Sequence, residues 1–114
     1  MKRGEVWLVN LDPTVGAEIK KTRPAVIVSH DALGKLPLKI IVPLTHWDEK
    51  YRQAEWHVKV EAKPGNGLEK HSSADTLQVR SVSAARLTRK LGSLDAAEME
   101  KIEDGLRIVL ELGE

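Results

Sequence analysis

The stretch KKTRPAVIVSHD, residues Lys20 to Asp31, sets Lys20, Lys21 and Arg23 directly against a run of apolar, largely β-branched residues. A guanidinium is planar, permanently charged and able to grip two oxygens of one phosphate, so Arg23 is a candidate anion clamp. The plain alternative is a solvated charge at the end of an ordinary strand. A second segment, LTHWDEKYRQAEW, interleaves Trp47, Tyr51 and Trp56 with Lys50 and Arg52. That mixture suits single-stranded RNA, whose bases stack on aromatic rings while its phosphates pair with cations. Trp56 opens a strand pattern and suits a core, which leaves Trp47 as the exposed stacking candidate. The four histidines, His30, His46, His57 and His71, match no compact metal-ligand spacing, so no metal and no other cofactor is expected. His57 and His71 read as surface residues.

These groups have to share one scaffold, because 114 residues supply a single core; residues 1–114 are expected to form one domain. Eighteen basic against 17 acidic residues leave a net charge of +1, which excludes a uniformly basic nucleic-acid coat. A polyanion must meet a local patch. The absence of cysteine removes disulfides, zinc–thiolate sites and thiol nucleophiles, and the cytoplasm is the simplest home for such a chain. The opening MKRGEVWLVNLDP is too short and too polar for a signal peptide or membrane span, so no membrane association is expected.

Alternation predicts a strand over residues 4–10, with Val6 and Leu8 on one face and Trp7 and Val9 on the other. TVGAEIKK follows as a loop. Pro24 presets an extended start to RPAVIVS, whose unbroken apolar run predicts burial on both faces and places Arg23 at its mouth. LKIIVPLT is a further strand ending near Pro43 and Thr45, HWDEKYRQAE an exposed loop, and WHVKVEA an alternating strand. ADTLQVRSVS and ARLTRKLG complete the strand candidates. Asp95 and Glu98 form a capping box with Leu94 and Met99 as a staple, and Met99, Ile102, Leu106 and Val109 recur on one helical face. Five or six short strands before one terminal helix predict a mainly β fold with a C-terminal helix (α+β), built as a small curved barrel or sandwich.

RGEVWLVNLDPTVGAEIKKTRPAVIVS, IIVPLT and LQVRSVSAARL, in this order, resemble the MazF/PemK family of toxin endoribonucleases over nearly the whole chain. The resemblance implies an SH3-like barrel, a homodimer, metal-independent cleavage of single-stranded RNA, messenger RNA included, and growth inhibition relieved by a MazE-like antitoxin. Contact with DNA is implied only indirectly, through the antitoxin complex. By position, Arg23 matches the family's catalytic arginine, Thr45 its strand-closing threonine, Glu18 the first-loop glutamate, and Gln78 with Arg80 its QxR pair. Two departures are Ala17, where some members carry histidine, and Leu77, where many carry an acid.

Cleaving RNA without a metal needs a proton acceptor for the 2′-hydroxyl, stabilisation of charge on the phosphoryl oxygens, and a proton for the departing 5′-oxygen. Arg23 and Thr45 suit the second task. An arginine is a poor base, since its unperturbed pKa of about 12.5–13.8 leaves little neutral form. Asp75, Glu18 and His46 are the local alternatives; Asp75 shares a face with Leu77 if residues 75–77 are regular strand, and His46 helps only if its strand has ended by Thr45. Glu18 either pairs with Arg23 or solvates its own loop. Gln78 and Arg80 either meet RNA or support the site from beneath. Lys20, Lys21, Trp47, Lys50 and Arg52 complete the expected RNA-binding set. Two other functions remain open: a gyrase-poisoning toxin on the same barrel, and a catalytically impaired RNA-binding regulator.

Overall fold

A computed structural model describes residues 1–113. Seven strands and one helix follow in order: β1 Glu5–Asn10, β2 Thr22–Ile27, β3 Leu38–His46, β4 His57–Val60, β5 Ser72–Asp75, β6 Arg80–Ser83, β7 Leu87–Ser93 and α1 Ala96–Leu110. The pairing is antiparallel in the order β4-β5-β3-β2-β1-β7, with β6 joined to β3 beside β5. Among the described residues β4 does not pair with β7, so the curved sheet remains open where a closed barrel was expected. No helix is long and apolar enough to cross a membrane.

β2 carries the core on both faces, as its apolar run requires. Val26 joins Val6, Val42, Leu44, Met99 and Ile102 on the helix side, while Ala25 and Ile27 join Val9, Leu11, Ile41 and Leu87 on the other. The helix starts at the capping box: Glu98 N–H donates to Asp95 Oδ1 at 2.8 Å, and Asp95 N–H donates to Glu98 Oε1 at 3.0 Å. Leu94 and Met99 are both buried in the helix-side cluster, in the positions of a hydrophobic staple. Gly105 lets the helix approach closely, since a Cβ there would stand 2.9 Å from Thr76 Cγ2 and 3.2 Å from Val58 Cγ2.

The expected ADTLQVRSVS strand is two strands and a turn. β5 pairs with β3 as far as Ala74 opposite Leu44, and β6 resumes at Arg80 opposite Ile41. Between these pairs Val42 and Pro43 face Asp75 to Val79, five residues against two, and the surplus coils into a 3₁₀ turn at Thr76–Gln78. The break coincides with Pro43, which has no N–H to give a ladder. β3 itself runs through Pro43 and Thr45 to His46, longer than its sequence suggested.

Candidate active site

Arg23 reaches its place through β2. Val9 pairs with Arg23, and Ala25 pairs with Pro43. The same register carried two residues further sets Arg23 opposite Thr45 at the ends of adjacent strands, where opposed Cβ atoms lie about 4.5–5.5 Å apart and share a face. Arg23 and Thr45 line one cleft of about 400 Å³, together with Leu8, His46, Glu69, Lys70 and Arg89 among others. Three permanent cations against one carboxylate give this cleft a positive bias that the net charge of the chain conceals, and a positive cleft concentrates a phosphodiester backbone. Arg23 Nε donates to Lys20 O at 3.3 Å, and no carboxylate pairs with Arg23 among the described residues. Its charge is therefore open to an incoming anion.

Two walls are held by backbone chemistry. On the Lys70 side, buried Asn66 donates from Nδ2 to Glu61 O at 2.8 Å and accepts at Oδ1 from the N–H groups of Lys63 and Leu68, both at 3.1 Å. Gly67, at φ +69°, packs so closely on β7 that a Cβ would meet Leu91 O at 2.3 Å. On the Arg23 side, the 11–21 loop returns through Lys21 at φ +70°, a left-handed conformation that costs a non-glycine residue about 1–2 kcal/mol. Lys21 N–H donates to Asp12 Oδ1 at 3.0 Å, and Leu11 N–H to Lys21 O at 2.9 Å, which closes the loop. Arg86 NH1 donates to Asn10 O at 3.0 Å and also to Asp12 O. Lys20 and Lys21 are exposed on this loop.

Gln78 and Arg80 serve the same loop. Ile19 N–H donates to Gln78 Oε1 at 2.6 Å, Gln78 Nε2 donates to Ala17 O at 3.3 Å, and Arg80 NH1 donates to Leu11 O at 3.2 Å. Of their two readings, the supporting one matches these bonds. Glu18 turns its carboxylate to the N–H of Val15 at 2.6 Å and does not pair with Arg23, so it organises its own loop. A hollow of about 450 Å³ lies between Ala17, Glu18, Leu77, Gln78 and Arg80, apart from the Arg23 cleft.

Three expectations are corrected. β5 ends at Asp75 and the 3₁₀ turn follows, so Asp75 and Leu77 do not share a regular strand; Asp75 is buried opposite His57 and does not line the Arg23 cleft. β3 has not ended at Thr45, so His46 leaves the strand on the opposite face, although it still lines the cleft rim. Trp47 is half-buried: the edge of its ring meets Tyr51 at 5.9 Å, and Lys59 Nζ stands 5.4 Å from its centroid. Lys50 is exposed beside Tyr51, whereas Arg52 spends its charge on Glu49 at 2.9 Å.

Sequence reasoning passed over Lys70 and Arg89, each an isolated surface cation until the fold sets it on the cleft. It also passed over His57, taken as a surface residue, and Ser73. His57 Nδ1 lies 2.8 Å from the Oγ of buried Ser73, and the Tyr51 ring is stacked on the imidazole at 3.8 Å. Only the alternation of His57 with Val58 hinted at this, because the partner strand is fixed by tertiary register.

Residues 2–110 match the family described as PemK-like, MazF-like toxin of type II toxin-antitoxin system. The chain is 34% identical over 118 residues to endoribonuclease MazF9 of Mycobacterium tuberculosis, covering 98% of each chain. It is 33% identical over 113 residues to endoribonuclease EndoA of Bacillus subtilis, covering 98% of this chain and 96% of that one. In fold it is similar to an endoribonuclease solved in complex with its cognate antitoxin from a mycobacterial species, with a TM-score of 0.76, 23% identity and coverage of 100% and 98%.

Proposed function

This chain belongs to the PemK-like, MazF-like toxins of type II toxin–antitoxin systems, and from that premise we propose that it is an endoribonuclease that cleaves single-stranded RNA in the Arg23–Thr45 cleft. The observation that carries the reading is a guanidinium, with no carboxylate partner among the described residues, that shares a cation-rich cleft with Thr45. The substrate brings its own nucleophile. As the 2′-oxygen bonds to phosphorus and the bond from phosphorus to the 5′-oxygen breaks, charge gathers on the two non-bridging oxygens. Arg23 holds these oxygens and Thr45 donates to one of them, donors that are fixed before the reaction begins. Lys70 and Arg89 draw in the flanking phosphates. Glu69 is the cleft-lining carboxylate able to take up the 2′-hydroxyl proton and to return it to the departing 5′-oxygen.

In this reading messenger RNA cleavage in the cytoplasm stops growth, and a cognate antitoxin relieves it. An acidic, extended antitoxin segment suits the cleft, because carboxylates satisfy Arg23, Lys70 and Arg89 as phosphates do. The matches favour this nuclease over the gyrase-poisoning alternative.

The test is incubation of pure protein with RNA in excess chelator, followed by sequencing of the RNA ends. Cleavage at a defined sequence is expected, abolished in Arg23→Ala with the circular dichroism spectrum unchanged. Undiminished cleavage by that variant would reject the clamp.

A further inference from the structure

The geometry points to a second subsite, beyond Thr45 on the side away from Arg23, in which Trp47, Tyr51 and Lys59 hold a nucleotide flanking the scissile phosphate; this rests on the nuclease reading above. Thr45 pairs with Ser73, and Ser73 pairs with Lys59. Arg23, Thr45, Ser73 and Lys59 thus form one row across β2, β3, β5 and β4, all on the same face. Three strand spacings of about 4.8 Å make the row roughly 14 Å long. A single RNA strand laid across the sheet meets a cation at each end and the Thr45 hydroxyl between, with the buried Ser73 beneath it.

The floor under the far end is rigid. Ser73 is fully buried and holds His57 Nδ1 at 2.8 Å, and the Tyr51 ring lies flat on the imidazole, 3.8 Å away and 4° from parallel. Trp47 meets Tyr51 edge-on, and Lys59 covers the indole. His57 itself stands two strands from Thr45 and two residue pairs further along, with its Nδ1 engaged by Ser73. Its part is to brace the aromatic shelf.

Two groups in this patch call for a ligand. Among the described residues, buried Trp47 Nε1–H meets no acceptor, and Asp75, opposite His57 and more than nine-tenths buried, has an Oδ1 that meets no donor. Left alone, each loses hydration without compensation. A nucleobase carries donors and acceptors along its edge and a face that stacks. Lys59 occupies the face of the indole that a base would take, and a phosphate drawn to Lys59 vacates that face as the base arrives.

The test uses the full chain and single-stranded RNA oligonucleotides that contain the cleavage sequence, trimmed one nucleotide at a time from either end. In Trp47→Ala the KM for the longest oligonucleotide is expected to rise about tenfold or more, the value of one lost base stack, with kcat changed far less. In Lys59→Gln a rise of about threefold is expected, steepest at low salt. Trimming one end, and only one, should cost the wild type the Trp47→Ala factor, cost Trp47→Ala nothing further, and cost Lys59→Gln only the part of that factor it has not already lost. If trimming and substitution multiply, or if KM is unmoved, the subsite is refuted. Should Trp47→Ala fail to fold, the exposed Lys59→Gln decides alone. A wild type that cuts no RNA refutes the nuclease reading instead, which separates the two failures.

Discussion

Arg23 illustrates how much a single side chain depends on what is absent around it. A carboxylate partner would neutralise the guanidinium, and among the described residues none pairs with it. Lysine would keep the charge and lose the planar fork, so Arg23→Lys is expected to lower kcat/KM for RNA by about a hundredfold, measured under single-turnover conditions. Glu5 shows the opposite case. Burial opposes its ionisation, yet the Lys2 N–H, the Trp7 indole N–H, Lys90 and the terminal amine together hold its pKa at about 2 against an ordinary 4.5. The ionised form is the one the fold favours, so this stabilisation is complete above the ordinary carboxylate range and is lost as pH falls through that interval. Glu5→Gln should therefore flatten the fall in melting temperature between about pH 5 and pH 2, as followed by circular dichroism. At this scale Arg23 and Thr45 were legible because each stands in a recognisable local motif. His57, Ser73, Lys70 and Arg89 were not, because their significance depends on which strand lies alongside.

Among the elements, the terminal helix was the most legible. Its cap, its staple and its apolar spacing are all local, and all are present in the structure. Gly105 was silent in the sequence, where a mid-helix glycine reads as a weakness costing about 1 kcal/mol. In the fold it is the point of contact with Thr76, whose hydroxyl donates to Trp56 O at 2.7 Å and cannot retreat. Gly105→Leu is expected to destabilise the protein by about 1–3 kcal/mol despite the gain in helix propensity, measured by urea denaturation. The broken β5–β6 segment was illegible for the same reason: the pattern ADTLQVRSVS is continuous, and only pairing with β3 across Pro43 interrupts it. That turn presents Gln78 to the 11–21 loop. Gln78→Ala should loosen the loop, raising amide exchange at Ile19 and reducing cleavage while leaving the melting temperature within a few degrees.

For the molecule as a whole, the sheet leaves a second face unaccounted for by RNA. Leu38 and Ile40 stand exposed on β3 opposite Ser83 and Ser81 of β6, with Leu33 and Leu36 exposed in the preceding turn. The family resemblance implies a homodimer, and we propose that a second copy of the chain covers this face. Ile40→Glu is expected to convert a dimer into a monomer by sedimentation at micromolar concentration, a charge buried at an interface being prohibitive. A wild type that sediments as a monomer would overturn it. On these two proposals assembly and cleavage would use opposite ends of β3, on either side of the stretch where five residues stand against two. Surplus length is already absorbed there, so a residue gained or lost in the turn leaves both Thr45 against Ser73 and Ile41 against Arg80. Relatives aligned to this chain should vary in length at that turn before they do so anywhere else within the sheet.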